Sequence, residues 1–302
     1  YCQQAQMDIF EDYFYQYNSW INRENARSSG TGYADIVKNL EEVIDSFSAD
    51  AFLTQLAVDQ GTRNRYQLPG DYYLINKLYY YPTSLFTGTA TNPAPFNLVD
   101  NTKTFVTNPS TMISPPIGSL VVNTTTGAQA YVTAVDSATV LTLSANIMNV
   151  GDAYNIYSAT NITEVERVNQ NKLFLLTSSN LTAPTTQYPA YVLGGASSNV
   201  ATPNAVIGNT IEVYPSTIVQ QYAIRVQYIR YPLPPQWTYT ALQSGEPLFN
   251  ANSTSYQNFE LPVSDEPALI AKICQYVGVE IREEDVYKFG TQEEINETSE
   301  TS

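Results

Sequence analysis

The run VVNTTTGAQAYVTAVDSATVLTLS, from Val121 to Ser144, leaves the chain few options. Ala128, Ala130, Val132 and Ala134 fall on one side of an extended backbone, and Gln129, Tyr131, Thr133 and Val135 on the other. Turn signals at Thr126-Gly127 and Asp136-Ser137 cut the run at strand spacing, and Leu141 and Leu143 carry the period of two onward. Gly151-Asp152 then turns into a further strand, Ala153 to Tyr157. The pattern predicts a compact β-meander of small and branched residues. Between Val121 and Ser144 the one Asp, Glu, Lys or Arg is Asp136, so the purpose of the run must come from the chain around it.

That chain changes period twice. From Gln3 to Ala26, Ile9, Phe10, Tyr13, Phe14, Tyr17 and Trp20-Ile21 recur at helical steps. A second helix is expected over Tyr33 to Phe47, and a third, short one within Ser46 to Gln60 around Phe52, Leu53 and Leu56. From Tyr66 the period is two, with a Pro-Gly turn inside QLPGDYYLINKLYYYP. Residues 91–110, rich in Pro and Asn, read as a linker. ITEVERVNQNKLFLL mixes strand with short helix, and YPAYVLGG, NTIEVYP and YAIRVQYIRYP are strand candidates. The final helix opens at SDEPALIAKICQYVGVEI, with Ser264 or Asp265 as cap. Beyond Glu283 the sequence turns acidic and reads as a flexible tail.

The expected fold is α+β. A helical region at 1–60 precedes a β-rich body at 61–104 and 159–262. A small β-meander or barrel module is inserted at 105–158, and a helix with an acidic tail closes the chain at 263–302. Contiguous strands between turn-rich linkers make Ile117 to Tyr157 removable as a unit, by joining Thr104 to Ser158.

At 302 residues the chain can bury roughly three quarters of its unfolded surface, enough for a core without staples. Cys2 and Cys274 differ in setting and read as idle thiols rather than a bridge. No stretch approaches the length of a membrane span, and no signal-peptide pattern opens the sequence.

A net charge of −15 argues against clamping a nucleic-acid backbone. A local basic belt from Lys38, Arg63, Arg65, Arg225 and Arg230 stays open. With no histidine, the commonest general base and metal ligand are missing. The 24 tyrosines favour extensive protein contact.

No phosphate loop, dinucleotide fingerprint, zinc motif or nucleophile elbow is present. Neither enzyme activity, cofactor nor metal is expected. Asn-x-Ser/Thr matches at Asn123, Asn161, Asn180, Asn252 and Asn296 are what an Asn- and Thr-rich chain produces by chance. Glu164 and Glu166 alternate on a strand beside Arg167, and two solvated carboxylates explain them better than a catalytic pair. Asp71 reads as a turn residue. In RYPLPPQWTY the prolines force an extended path decorated by Tyr231, Trp237 and Tyr239. Trp237 either plugs the core or, with these neighbours, anchors on an adjacent subunit.

The ordered blocks EVERVNQNKLFLLTSSNLTAPTTQYPAYVL, NTIEVYPSTI, VQYIRYPLPPQWTY and FELPVSDEPALIAKICQYVGVEIREEDVYKFG resemble ring or adaptor proteins stacked between portal and tail. These belong to short-tailed crAss-like bacteriophages of gut Bacteroidota. The resemblance covers Glu164 to Gly290, with LPGDYYLI as an earlier anchor. GSLVVNTTTG, VTAVDSATVLTLS and GDAYNIY are similar to a small β-module recurrent in phage virion proteins.

The resemblance implies a non-enzymatic virion structural protein, a homo-oligomer in a dodecameric ring of the portal-proximal tail. It would assemble in the host cytoplasm, extend the DNA conduit and dock the next tail component. Its partners would be the portal and adjacent ring proteins, with duplex DNA passing without specific binding and no membrane involved. Leu269, Ile273, Val277, Val286, Tyr287 and Phe289 are then candidates for contact with the portal or an adjacent ring. The alternative is a secreted or surface carbohydrate-binding or adhesion protein, suggested by Tyr, Trp and the β-module. An acidic glycoside hydrolase has least support.

Overall fold

The computed structural model describes residues 1–26, 34–56, 64–82, 84–105, 115, 117–158, 162–194, 209–220, 222–242, 245–281, 288–293 and 295. The elements begin with α1 (Cys2–Ala26), α2 (Ala34–Asp45), β1 (Ser48–Phe52), β2 (Thr54–Gln55), β3 (Arg65–Gln67) and β4 (Tyr72–Tyr80). Then come β5 (Ser84–Thr89), β6 (Asn97–Val99), β7 (Leu120–Asn123), β8 (Gln129–Ser137), β9 (Val140–Leu143) and β10 (Ala153–Tyr157). β11 (Thr163–Glu164), β12 (Glu166–Arg167), α3 (Gln170–Thr177), β13 (Ala190–Gly194), β14 (Thr210–Tyr214) and β15 (Ile224–Arg230) follow. The chain continues with β16 (Tyr239–Ala241), β17 (Pro247–Phe249) and α4 (Glu266–Ile281). The α+β class expected from the sequence is the observed one. Tyr1–Ser48 and Ile229–Ser302 form one unit, and Ala49–Tyr228 the other.

In the helical unit α1 buries Ala5, Ile9, Phe10 and Tyr13. Phe10 meets Phe14, Phe47 and Tyr231 at ring-centroid distances of 5.1, 5.0 and 6.1 Å. Gln6, fully buried, donates through Nε2 to the Leu233 carbonyl at 2.8 Å and accepts from the Glu260 N–H at 3.1 Å. One amide thus holds both ends of the extended segment that carries Trp237. A short 3-10 turn over Val263–Asp265 leads into α4, which places Asp265 immediately before the first helical residue, Glu266. Asp265 also accepts a hydrogen bond from the Tyr13 hydroxyl. Residues 288–293 are helical, and Gly290 lies against α4. A Cβ there would sit 2.7 Å from the Ala271 carbonyl oxygen. That part of the acidic tail is therefore ordered against its own helix.

In the β unit, one sheet runs β1-β15-β4-β11 and another β12-β13-β14-β3-β2. They share a core to which Leu78, Val226 and Tyr228 come from the first, and Tyr66, Ile211 and Val213 from the second. Where a short helix is expected after α2, strands β1 and β2 run over Ser48–Phe52 and Thr54–Gln55, and residues 57–60 lie outside the described residues. Ala49, Ala51 and Leu53 line the shared core at a spacing of two. Tertiary pairing overrides the local helical reading.

The third sheet is the meander, ordered β5-β10-β7-β8-β9-β6. It draws two strands from before residue 105: β5 pairs with β10 and β6 with β9. Ala90, Leu98 and Phe105 lie in its core with Val121, Val132 and Leu141. β7 is buried on both faces. Val121 points into the module core, while Leu120 and Val122 pack with Tyr81 and Tyr157 against Phe52, Tyr79 and Tyr222. The alternation in β8 holds as far as Val132. A bulge between Val132 and Ala134 then reverses it, and Val135 packs on the core instead of Ala134.

Candidate functional site

Asn123, at the heart of the VVNTTTG motif, is fully buried. Its Oδ1 accepts from the Thr125 and Thr126 N–H groups at 2.9 and 3.1 Å. Its Nδ2 donates to the Ile147 carbonyl at 2.8 Å and to Asp152 Oδ2 at 2.7 Å. Asp152 also accepts from the Asn149 N–H at 2.9 Å. This network closes two turns onto each other and withdraws Asn123 from any glycosylating enzyme. Asp100, also fully buried, takes the Thr102 N–H at 2.8 Å, the Thr102 hydroxyl at 2.6 Å and the Tyr154 hydroxyl at 2.8 Å. Gly88 pairs across from Tyr154, and a Cβ there would meet Asp100 Oδ2 and come within 2.7 Å of Tyr154 Oη. These buried polar groups are saturated by structural partners.

Carboxylates nearer the surface are partnered as well. Glu164 pairs with Lys77 at 3.5 Å and Glu166 with Lys172 at 3.6 Å. Asp71 accepts from the Tyr228 hydroxyl at 3.1 Å. Among the described residues no group of three or more Cys, Asp or Glu could hold a metal ion, and no helix is long and apolar enough to cross a membrane. Cys2 and Cys274 are both free thiols.

Each described cation of the candidate basic belt has a carboxylate partner. Lys38 pairs with Glu42 at 3.8 Å, Arg65 with Glu212 at 3.1 Å, Arg225 with Asp50 at 2.6 Å and Arg230 with Glu260 at 2.7 Å. Arg63 lies outside the described residues. Counterion release on DNA needs cations free to leave their own carboxylates for phosphates.

The interface candidates separate. Leu269 is buried in the helical unit, where α4 packs on α1, and Ile273 and Val277 are half-buried. Phe289 is exposed, and Val286 and Tyr287 lie outside the described residues. Tyr231 is partly exposed beside Phe10. Trp237 is 59% and Tyr239 61% exposed, which removes the reading of Trp237 as a core plug. Trp237 stacks with Tyr239 at 5.4 Å and 23°, and with Phe249 at 6.3 Å and 13°. Tyr256 meets Phe249 edge-on at 5.4 Å. Near-parallel rings this close are offset-stacked and cover part of one another's faces.

A second exposed apolar group escaped the sequence reading. In α3, Leu173 and Leu176 pack inward with Val168 and Val192, while Phe174 and Leu175 point outward. Leu181 and Tyr188, on the loop that follows, are also exposed. The run LFLL gives no sign of which side chains face out.

Compared with known proteins, the chain matches no family model and no curated sequence.

The ionisable groups predict a broad plateau of stability. Arg230 and the Leu233 N–H hold Glu260 below the usual carboxylate range against the cost of its burial. Burial alone would raise Asp100, but hydrogen bonds from Thr102 and Tyr154 outweigh it, and the Asn149 N–H and Asn123 lower Asp152. Each carboxylate is lowered on folding, so its stabilisation is complete above about pH 5 and lost as pH falls through the folded value. Burial raises the phenols of Tyr13, Tyr66 and Tyr154, aided at Tyr13 and Tyr154 by Asp265 and Asp100. Their contribution is intact below about pH 9 and disappears as pH rises through the folded values. Thermal melts from acid to alkali should show a flat top with two falling edges. A sharp optimum near neutrality would contradict these assignments.

Proposed function

We propose that the chain is a non-enzymatic structural subunit of a bacteriophage virion. It forms an oligomeric ring of twelve copies between portal and tail, extends the DNA conduit and docks the next tail component. The observation that carries this reading is where the large apolar side chains lie. Trp237, Tyr239, Phe174, Leu175, Leu181 and Tyr188 are exposed in two clusters, as suits a surface built for protein contact. The resemblance of Glu164 to Gly290 to tail-ring proteins supports the particular assembly. A charge of −15 and paired cations suit a conduit through which duplex DNA slides without being held.

Negative-stain electron microscopy of the purified protein should show closed rings. Antibody against it should label the portal-proximal tail of virions of the phage that encodes it. A protein missing from the virion would overturn the proposal.

A further inference from the structure

A subunit that binds its own copies head to tail needs two different surfaces, one for each neighbour. Resting on the ring reading above, the two exposed clusters can be assigned to such a contact. The first is the β16–β17 hairpin. Among the described residues its strands pair only with each other, and all their residues are exposed. A lone two-stranded hairpin is marginal in water, yet this one displays Tyr239, Leu248 and Phe249, with Trp237 stacked beside them. From Gln236 to Asn258 the only charged residue is Glu246, which is exposed near the turn.

The second surface is the outer side of α3 with the loop after it. Large apolar side chains are normally buried, but Phe174 and Leu175 are 76% and 68% exposed. Leu181, 94% exposed, and Tyr188 line an adjoining groove of about 610 Å³. Lys77 and Lys172 on the same groove are held by Glu164 and Glu166. Arg167 also lines the groove and makes no ion pair among the described residues.

We propose that the hairpin of one copy seats in the α3 groove of a second copy, with Glu246 facing Arg167. The hairpin is exposed and the groove concave, and among the described residues Glu246 on the one and Arg167 in the other, opposite in charge, have no ion pair. Each patch exposes on the order of 600 Å² of large apolar side chain. Together they reach roughly 1,200 Å², the lower bound of a specific stable interface. A symmetric dimer through either patch alone would leave the other uncovered. Hairpin into groove covers both and repeats from copy to copy.

The test uses two full-length variants at exposed positions, Leu248→Arg in the hairpin and Leu181→Arg in the groove, each checked for native circular dichroism. In sedimentation velocity the parent chain should assemble and each variant alone should stay monomeric. Their equimolar mixture should form a one-to-one dimer and stop there, because one sound hairpin and one sound groove remain. Glu246→Arg and Arg167→Glu should each weaken assembly about tenfold or more, and combining them should restore it. Variants that still assemble, or a mixture that stays monomeric, would overturn the pairing. Rings unaffected by either substitution remove the pairing and leave the ring reading standing. A parent chain that never self-associates also removes the pairing, and virion labelling then decides the ring reading by itself.

Discussion

Replacing residues 83–157 by a short Gly-Ser linker leaves a folded, soluble remainder, whereas joining Thr104 to Ser158 does not. β10 returns alongside β5, with Tyr157 opposite Ser84, so the module leaves and rejoins the body at neighbouring points. The longer excision removes the whole six-stranded sheet and its core. Tyr81, Phe52, Tyr79 and Tyr222 lose Leu120, Val122 and Tyr157, costing about 3–5 kcal/mol. Arg225 loses a 3.4 Å contact with the Tyr131 hydroxyl but keeps Asp50. The shorter excision strands β5 without β10 and β6 without β9, and exposes Ala90 and Leu98. Circular dichroism and a single cooperative urea transition for the longer deletion are the expected readouts. A shorter deletion that unfolds as cooperatively would break this account.

Gly88→Ala should lower stability by about 3 kcal/mol. Its Cβ would enter the space between Asp100 and Tyr154. Neither side chain can retreat without breaking a hydrogen bond in a fully buried site. Asp100→Ala alone should cost a similar amount, because the Tyr154 hydroxyl and the Thr102 donors lose their acceptor. The pair should be far from additive, since removing the carboxylate makes room for the methyl group. Urea titrations of both single variants and the double variant measure the coupling. Simple additivity would show that Gly88 is not there for Asp100.

Much of the strand order was legible because alternation survives wherever one face of a strand is buried. QLPGDYYLINKLYYYP, NTIEVYP and YAIRVQYIRYP correspond to β3–β4, β14 and β15. The misread pieces share a cause. β1 and β2 are five and two residues long, too short for period two to outweigh a passable helical spacing. β6 is three residues within a Pro- and Asn-rich stretch and becomes a strand only by pairing with β9. The bulge at Thr133 leaves no compositional mark. The candidate surfaces divide similarly. Trp237 and Tyr239 stood out because prolines fix an extended path around them. Phe174 and Leu175 did not, because four consecutive apolar residues in a short helix hide which side meets solvent.

The antiparallel meeting of Ser84 and Tyr157 also governs how this chain yields to tension. A pull transmitted through Pro82 and Ser158 grips β5 and β10 at the same end. Hydrogen bonds between antiparallel strands lie across the strand direction, so the load falls on one rung at a time, starting from Ser84 and Tyr157. The module peels open like a zip, at low force, and releases roughly 250 Å of slack. Body strands β4 and β11 meet at Tyr80 and Thr163, just outside these two points, so tension along the backbone reaches the module only once that pairing has given way, and the body shields it until then.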